Sequence, residues 1–184
     1  MTRIATPVTV AEAPAASQPL LEAVKKQLGV VPNLFRTISN SPAALEGCLS
    51  LMGALGNGEL PEQTQQRIAL AVAELNGSDY CLSANIYFAR NVAKLDDTEI
   101  TANRNGGSND PKAAAAVLFA KKVANARGRV SDADVDAVKA AGYGEAAVIE
   151  IVLNVALGIW TNYISTVAET VIDFPVVHTR KGKE

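Results

Sequence analysis

The chain predicts an all-α fold of about eight or nine helices, and two observations carry that expectation. Apolar residues recur at helical spacing in segment after segment, and none shows the alternating Val/Ile/Thr pattern of a strand. Much of the 48% hydrophobic content is alanine, in runs such as AVAEL, KAAAAV and EAAV, while aromatics make up only 5%. Alanine is the cheapest residue to place in a helix, so this composition favours closely packed helices over a β-sandwich. At 184 residues the chain is long enough for one domain with a substantial core, here taken as residues 1–184.

The elements follow in order. Residues 1–16, rich in Ala, Pro and Thr, form an N-terminal arm without helical period. Ser17 or Pro19 opens a helix with Leu21, Val24 and Leu28 on one face and Gly29 as its stop. VVPNLFRTISNS is a turn and a short helix; Ser41-Pro42 starts the next helix, which breaks at GNGEL. Pro61 begins an amphipathic helix with Ile68, Val72 and Leu75 on one stripe, and Asn76-Gly77 ends it. Ser78 or Asp79 caps YCLSANIYFARNVAKL, and Asp96 or Asp97 caps the helix after it. GGSND reads as a linker, lacking both the spacing of a phosphate loop and a preceding strand. Asp110-Pro111 and Ser131 open two more helices, and a last long helix covers roughly 144–170. Residues 173–184 are a C-terminal tail.

Charge excludes some functions. Seventeen basic and 19 acidic residues give a formal net charge of -2, with no basic stripe, so no nucleic-acid partner is expected. The N-terminus lacks the apolar core of a signal peptide. AAVIEIVLNVALGIW is interrupted by Glu150 and Asn154 and reads as too short for a membrane span. Two cysteines 33 residues apart make no secreted disulfide framework, so a cytoplasmic location is expected.

The window Gln66–Asn85, QRIALAVAELNGSDYCLSAN, holds the candidate chemistry. It reads as a helix, an Asn-Gly turn and a second helix with Cys81 in its first turn. Unpaired N–H groups and the positive end of the helix dipole favour a thiolate there. The plain alternative is a small buried apolar residue, as free cysteines often are.

The same window, with GVVPNLF, SPAALEG, KLDD, ANRNG, SDADV and TNY around it, resembles the alkylhydroperoxidase-D-like, or carboxymuconolactone decarboxylase, family in its peroxidase-related subgroup. The family pattern is a helix E-x-I-A-L-A-V-A, then N-G-C-x-Y-C, then histidine four residues on. The resemblance implies that Cys81 attacks peroxide. The resolving cysteine then falls on Ser78, the histidine on Asn85 and the relay glutamate on Gln66. Asn154 stands where a further histidine is expected. The implied function is an alkylhydroperoxidase-like thiol peroxidase with an impaired relay, since Asn85 and Gln66 do not exchange protons near neutral pH. Two other readings stay open: a non-catalytic protein binding a small hydroperoxide or apolar ligand, and a lactone decarboxylase, for which the proton-transfer groups are missing. The resemblance also implies a homo-oligomer, a trimer or hexamer.

No cofactor and no metal are expected, because one histidine supplies no zinc or di-iron ligand set. That histidine, His178, lies in the polar tail and reads as exposed. Cys48 reads as a packing residue. Trp160 and Tyr163 could stack on a ligand, but their spacing equally suits a core or a subunit interface.

Overall fold

A computed structural model describes residues 2–180 of the chain. Among these residues there are nine α-helices and no strand. They are α1 (Gln18–Leu28), α2 (Asn33–Ile38), α3 (Pro42–Gly56), α4 (Glu62–Asn76), α5 (Asp79–Asn91), α6 (Asp97–Arg104), α7 (Pro111–Ala126), α8 (Asp132–Ala140) and α9 (Glu145–Ala168). The arm before α1 carries two short 3-10 turns, Val10–Glu12 and Ala15–Ser17, and buries Ala13.

The helix starts are set by local hydrogen bonds. Ser41, Ser78, Asp96, Asp110 and Ser131 each accept a backbone N–H of the turn they open, and Ser131 forms a full capping box with Asp134. The bond from Lys122, and after it those from Ser131, hold the Asp134 carboxyl down at about 2. Ser17 departs from expectation. It sits before α1 but its hydroxyl donates to the Ser39 carbonyl instead, tying α1 to the end of α2. Gly77 closes α4 at φ 69°, a left-handed conformation that costs glycine nothing and turns the chain straight into Ser78.

Helix α4 is the central element, packed by α5, α6, α7 and α9. It divides the core in two. Leu70 and Ala73 join Leu21, Leu45, Leu82, Cys81 and their neighbours on one side. Ile68, Ala71 and Val72 join Ala116, Val117, Ala120, Ile151 and Val155 on the other. Small residues set the spacing. The wholly buried Ala116 and Ala120 bring α7 close, and a Cβ at Gly158 of α9 would lie 3.0 Å from Val72 Cγ1. Each fully buried Leu, Ile or Val side chain stabilises the fold by roughly 1.5–3 kcal/mol.

One expectation needs correction, and another gains detail. GGSND links α6 to α7 as expected but is pinned in place. The Glu99 carboxylate accepts Ser108 Oγ at 2.5 Å and the Asn109 N–H at 2.7 Å, while also pairing with Arg67 Nε at 2.7 Å. Helix α9, in turn, is not too short for a membrane. It has 24 residues with a mean hydropathy of 1.6 in its most apolar window, so it meets the length and composition of a span. One face of it nevertheless packs on the bundle, where both cores rest on it and Glu150 accepts the N–H groups of Glu59 and Leu60. Only 22% of that window is buried, and Ile149, Val152, Tyr163 and Val167 remain exposed.

Candidate active site

The turn Asn76-Gly77-Ser78 places Cys81 at the third position of α5, where its N–H donates to Ser78 Oγ at 3.3 Å. The cysteine is buried at 5% exposure, against α9. Its Sγ lies 3.6 Å from Ser165 Oγ, and Ser165 Oγ lies 2.9 Å from Ser78 Oγ. The Ser165 hydroxyl also donates to the Asn162 carbonyl at 2.9 Å, and Asn162 Oδ1 accepts Asn76 Nδ2 at 2.9 Å. One set of protons satisfies every contact: Ser165 donates to the carbonyl, while the Cys81 thiol and the Ser78 hydroxyl both donate to Ser165. A thiolate would need the Ser165 hydroxyl to turn from the Asn162 carbonyl toward sulfur.

On the other side of Cys81, Asn85 lies one turn along α5 on the same face. Its Nδ2 donates to the Ala69 carbonyl of α4 at 3.3 Å. Gln66 Nε2 donates to the Asn85 backbone carbonyl at 2.9 Å. The structure therefore brings Gln66, Asn85, Cys81 and Ser78 into one row across the α4–α5 contact. Each amide donates to a backbone carbonyl.

The remaining candidates lie elsewhere. Asn154 is half-buried and donates to its own helix at Glu150 O, and Tyr163 is exposed. Trp160 is partly buried against the core cluster that contains Cys81. Cys48 is buried in the same core cluster as Cys81, and burial pushes its thiol up to about 11.

A shallow cleft of about 230 Å³ opens beside the row, walled in part by Ser78, Ser165, Thr166, Glu169 and Thr170. Thr170 Oγ1 is buried with no hydrogen-bond partner among the described residues. Ser165 and Thr170 of this wall escaped the sequence reading. The only signal available was a cluster of small polar residues, Thr161, Asn162, Ser165 and Thr166, near the end of a largely apolar helix.

The tail departs furthest from expectation. His178 is exposed, as expected, yet its Nδ1 lies 2.6 Å from the Asp79 carboxylate, two residues before Cys81. Asp79 also accepts the Thr179 N–H at 2.7 Å and its hydroxyl at 2.9 Å. Upstream, Asp173 accepts Tyr80 Oη and the Asn33 N–H, and Phe174 packs on Tyr80, Tyr87 and Phe88. Residues 173–180 thus form a strap along α5. Residues 181–184 lie outside the described residues.

Burial opposes ionisation of Asp79, but the His178 and Thr179 hydrogen bonds outweigh it and hold its carboxyl below the usual range. A lowered folded-state value means that this group supports the folded form above the ordinary carboxylate range and loses that support as pH falls through the lowered value. Asp79→Asn is expected to loosen the strap already at neutral pH, with Thr179 amide protection in hydrogen exchange falling about tenfold, the size of a lost charge-assisted bond. Unchanged protection in that variant would show that the strap is held from elsewhere.

Residues 42–122, from the start of α3 into α7, match the carboxymuconolactone decarboxylase family. No curated protein matches the chain. Among solved structures, the fold is similar to an alkylhydroperoxidase AhpD core, a peroxidase-related protein from Ralstonia eutropha JMP134. The TM-score is 0.82 at 23% identity, covering 94% of this chain and 92% of that one. A peroxidase-related protein from Silicibacter sp. TM1040 is similar at TM-score 0.80 and 20% identity, covering 92% and 91%. A debrominase in complex with 2,3,4-tribromopyrrole is similar at TM-score 0.75 and 21% identity, covering 94% and 93%.

Proposed function

We propose that this chain, whose residues 42–122 match the carboxymuconolactone decarboxylase family, is an alkylhydroperoxidase-like thiol peroxidase with an impaired relay. The supporting observation is the contiguous row Gln66–Asn85–Cys81–Ser78, with Cys81 at the start of α5. In the first step the Cys81 thiolate attacks the outer oxygen of a hydroperoxide. The O–O bond breaks, an alcohol leaves with one added proton, and Cys81 becomes a sulfenic acid. Ser78 cannot close a disulfide, so an external thiol must condense with that sulfenic acid, releasing water, and a second thiol must reduce the mixed disulfide. Asn85 and Gln66 carry no proton to exchange at neutral pH, which leaves the attack without a base.

The test is mass spectrometry of the reduced chain after brief exposure to a small organic hydroperoxide. Slow one-oxygen addition on Cys81, absent in Cys81→Ser, is the expected result. Cys48, whose thiol is raised by burial, serves as the internal control. A folded chain oxidised no faster at Cys81 than at Cys48 would refute the proposal. A second reading, a binding protein without chemistry, draws support from the commitment of both amides to backbone carbonyls. Such a protein would hold a small hydroperoxide or apolar ligand and leave Cys81 unmodified.

The assembly belongs to the same proposal. Ile149, Val152, Tyr163 and Val167 leave α9 with an apolar exposed face, which a homo-oligomer, a trimer or hexamer, would cover. Light scattering is expected to return a multiple of the chain mass, and Val152→Glu with Val167→Glu to reduce it. A single-chain mass at micromolar concentration would exclude this assembly.

A further inference from the structure

A second cleft, of about 220 Å³, lies at the other end of the strap. Glu74 and Leu75 of α4, Arg104 and Asn105 at the end of α6, Lys121 of α7 and Arg180 of the strap form most of its wall. Three cations meet one carboxylate here, a local balance of +3 − 1 = +2 in a chain whose net charge is -2.

The carboxylate is fully engaged. Glu74 is 7% exposed; its Oε2 accepts Arg104 Nε at 2.7 Å and its Oε1 accepts the Arg180 backbone N–H at 2.8 Å. The other two cations have no carboxylate partner among the described residues. Arg180 donates from its guanidinium to Asn105 Oδ1, and Lys121 Nζ donates to the Asn105 carbonyl at 3.0 Å. A guanidinium has five N–H donors and an ammonium three, so most of their donors remain unspent. Lys121 is also held in place: it is half-buried and its stem lies over Gly106, where a Cβ would come within 2.4 Å of Lys121 Cδ.

We propose that this cleft binds a small oxyanion carrying two negative charges, a phosphate or a dicarboxylate, between Lys121 and Arg180. The arginine fork matches either group in a bidentate manner, and the ammonium supplies the second charge. Alanine and leucine are its apolar lining, with no aromatic ring to stack a base, so the anion sits on a small aliphatic body or stands alone. The cleft beside Cys81 is different in kind, since carboxylates of Asp79 and Glu169 lie in its wall. The strap links the two. Arg180 sits in the cationic cleft, Arg104 donates to the His178 carbonyl at 3.0 Å, and His178 and Thr179 bond Asp79 at the start of α5. An anion that fixes Arg180 therefore also fixes the strap over the helix that carries Cys81.

The test is isothermal titration of the full chain with inorganic phosphate and with succinate, in chloride buffer at constant ionic strength. Saturable one-site binding of at least one probe is expected, and the two arms tell phosphate from dicarboxylate. Lys121→Gln combined with Arg180→Gln should weaken that binding about tenfold or more, the loss of at least one charge-assisted bond. Lys121→Arg should retain it, which separates lost charge from damaged packing; circular dichroism confirms folding of each variant. Binding of neither probe, or equal binding by the folded double-glutamine variant, would overturn the proposal.

Discussion

A chain carrying Ser78→Cys, Asn85→His and Gln66→Glu together is expected to consume hydroperoxide about two to four orders of magnitude faster than the unmodified chain, the span typical of general-base help. The arrangement explains why the gain should come from the combination. Ser78→Cys alone supplies a resolving thiol at a helix start but no base. It also gives up the hydroxyl that caps α5 and bonds Ser165, at a cost of about 1 kcal/mol. Asn85→His places a titratable group one turn from Cys81. Gln66→Glu then gives that imidazole an acceptor across the α4–α5 contact, where Gln66 and Asn85 already meet. Steady-state peroxide consumption with an excess of dithiol measures each step. If the unmodified chain matched the triple variant, Cys81 would have another activator. If the folded triple variant stayed inert, the row would be structural.

Glu99→Gln is expected to lower the unfolding free energy by about 3–5 kcal/mol, because it strands a buried guanidinium. Arg67 and Glu99 side chains are 10% and 8% exposed, and Glu99 also accepts bonds from Asn103, Ser108 and Asn109. Burial opposes its charge, yet these bonds outweigh it and hold the carboxyl below the usual range. The support it lends is therefore present at neutral pH and lost as pH falls through that lowered value. Urea unfolding checks the magnitude, with Asp97→Asn as control. Its partner Arg90 is half exposed and Asp97 more so, and the expected loss there is about 0–1 kcal/mol. Replacing both members of the buried pair with Met and Leu should recover much of the loss. Equal effects in Glu99→Gln and Asp97→Asn would show that Arg67 is solvated.

Much of the fold was legible in the sequence because helix signals are local. Ser41-Pro42, Asp110-Pro111, Asn76-Gly77 and the Ser131 box each act within four residues, and each helix boundary they imply is observed. The row Gln66–Asn85–Cys81–Ser78 was named from the family resemblance and not from local signals; its members meet because α4 and α5, joined by a tight turn, pack side by side. What was hidden depends on contacts between distant segments. His178 and Asp79 are 99 residues apart, Ser165 and Cys81 are 84 apart, and nothing in a tail or a helix face announces its partner. Glu99 gave no warning either, because its role appears only when Arg67 arrives from another helix and the GGSND segment folds over it.

The bond from Gln66 to the Asn85 carbonyl also governs which substitutions can come first. At neutral pH a carboxylate has no proton to donate, so Gln66→Glu on its own turns a donor–acceptor contact into two facing acceptors. With Asn85→His already in place, the new carboxylate has a ring N–H to turn toward. The acid is therefore an unfavourable first step and an acceptable second one. The same asymmetry runs backwards: losing the histidine while the acid remains leaves a charge with no partner, whereas losing the acid first leaves a neutral, hydrogen-bonded pair. The amide at 66 acts as a ratchet, and the path between a proton-transferring site and the present one is passable in a preferred order.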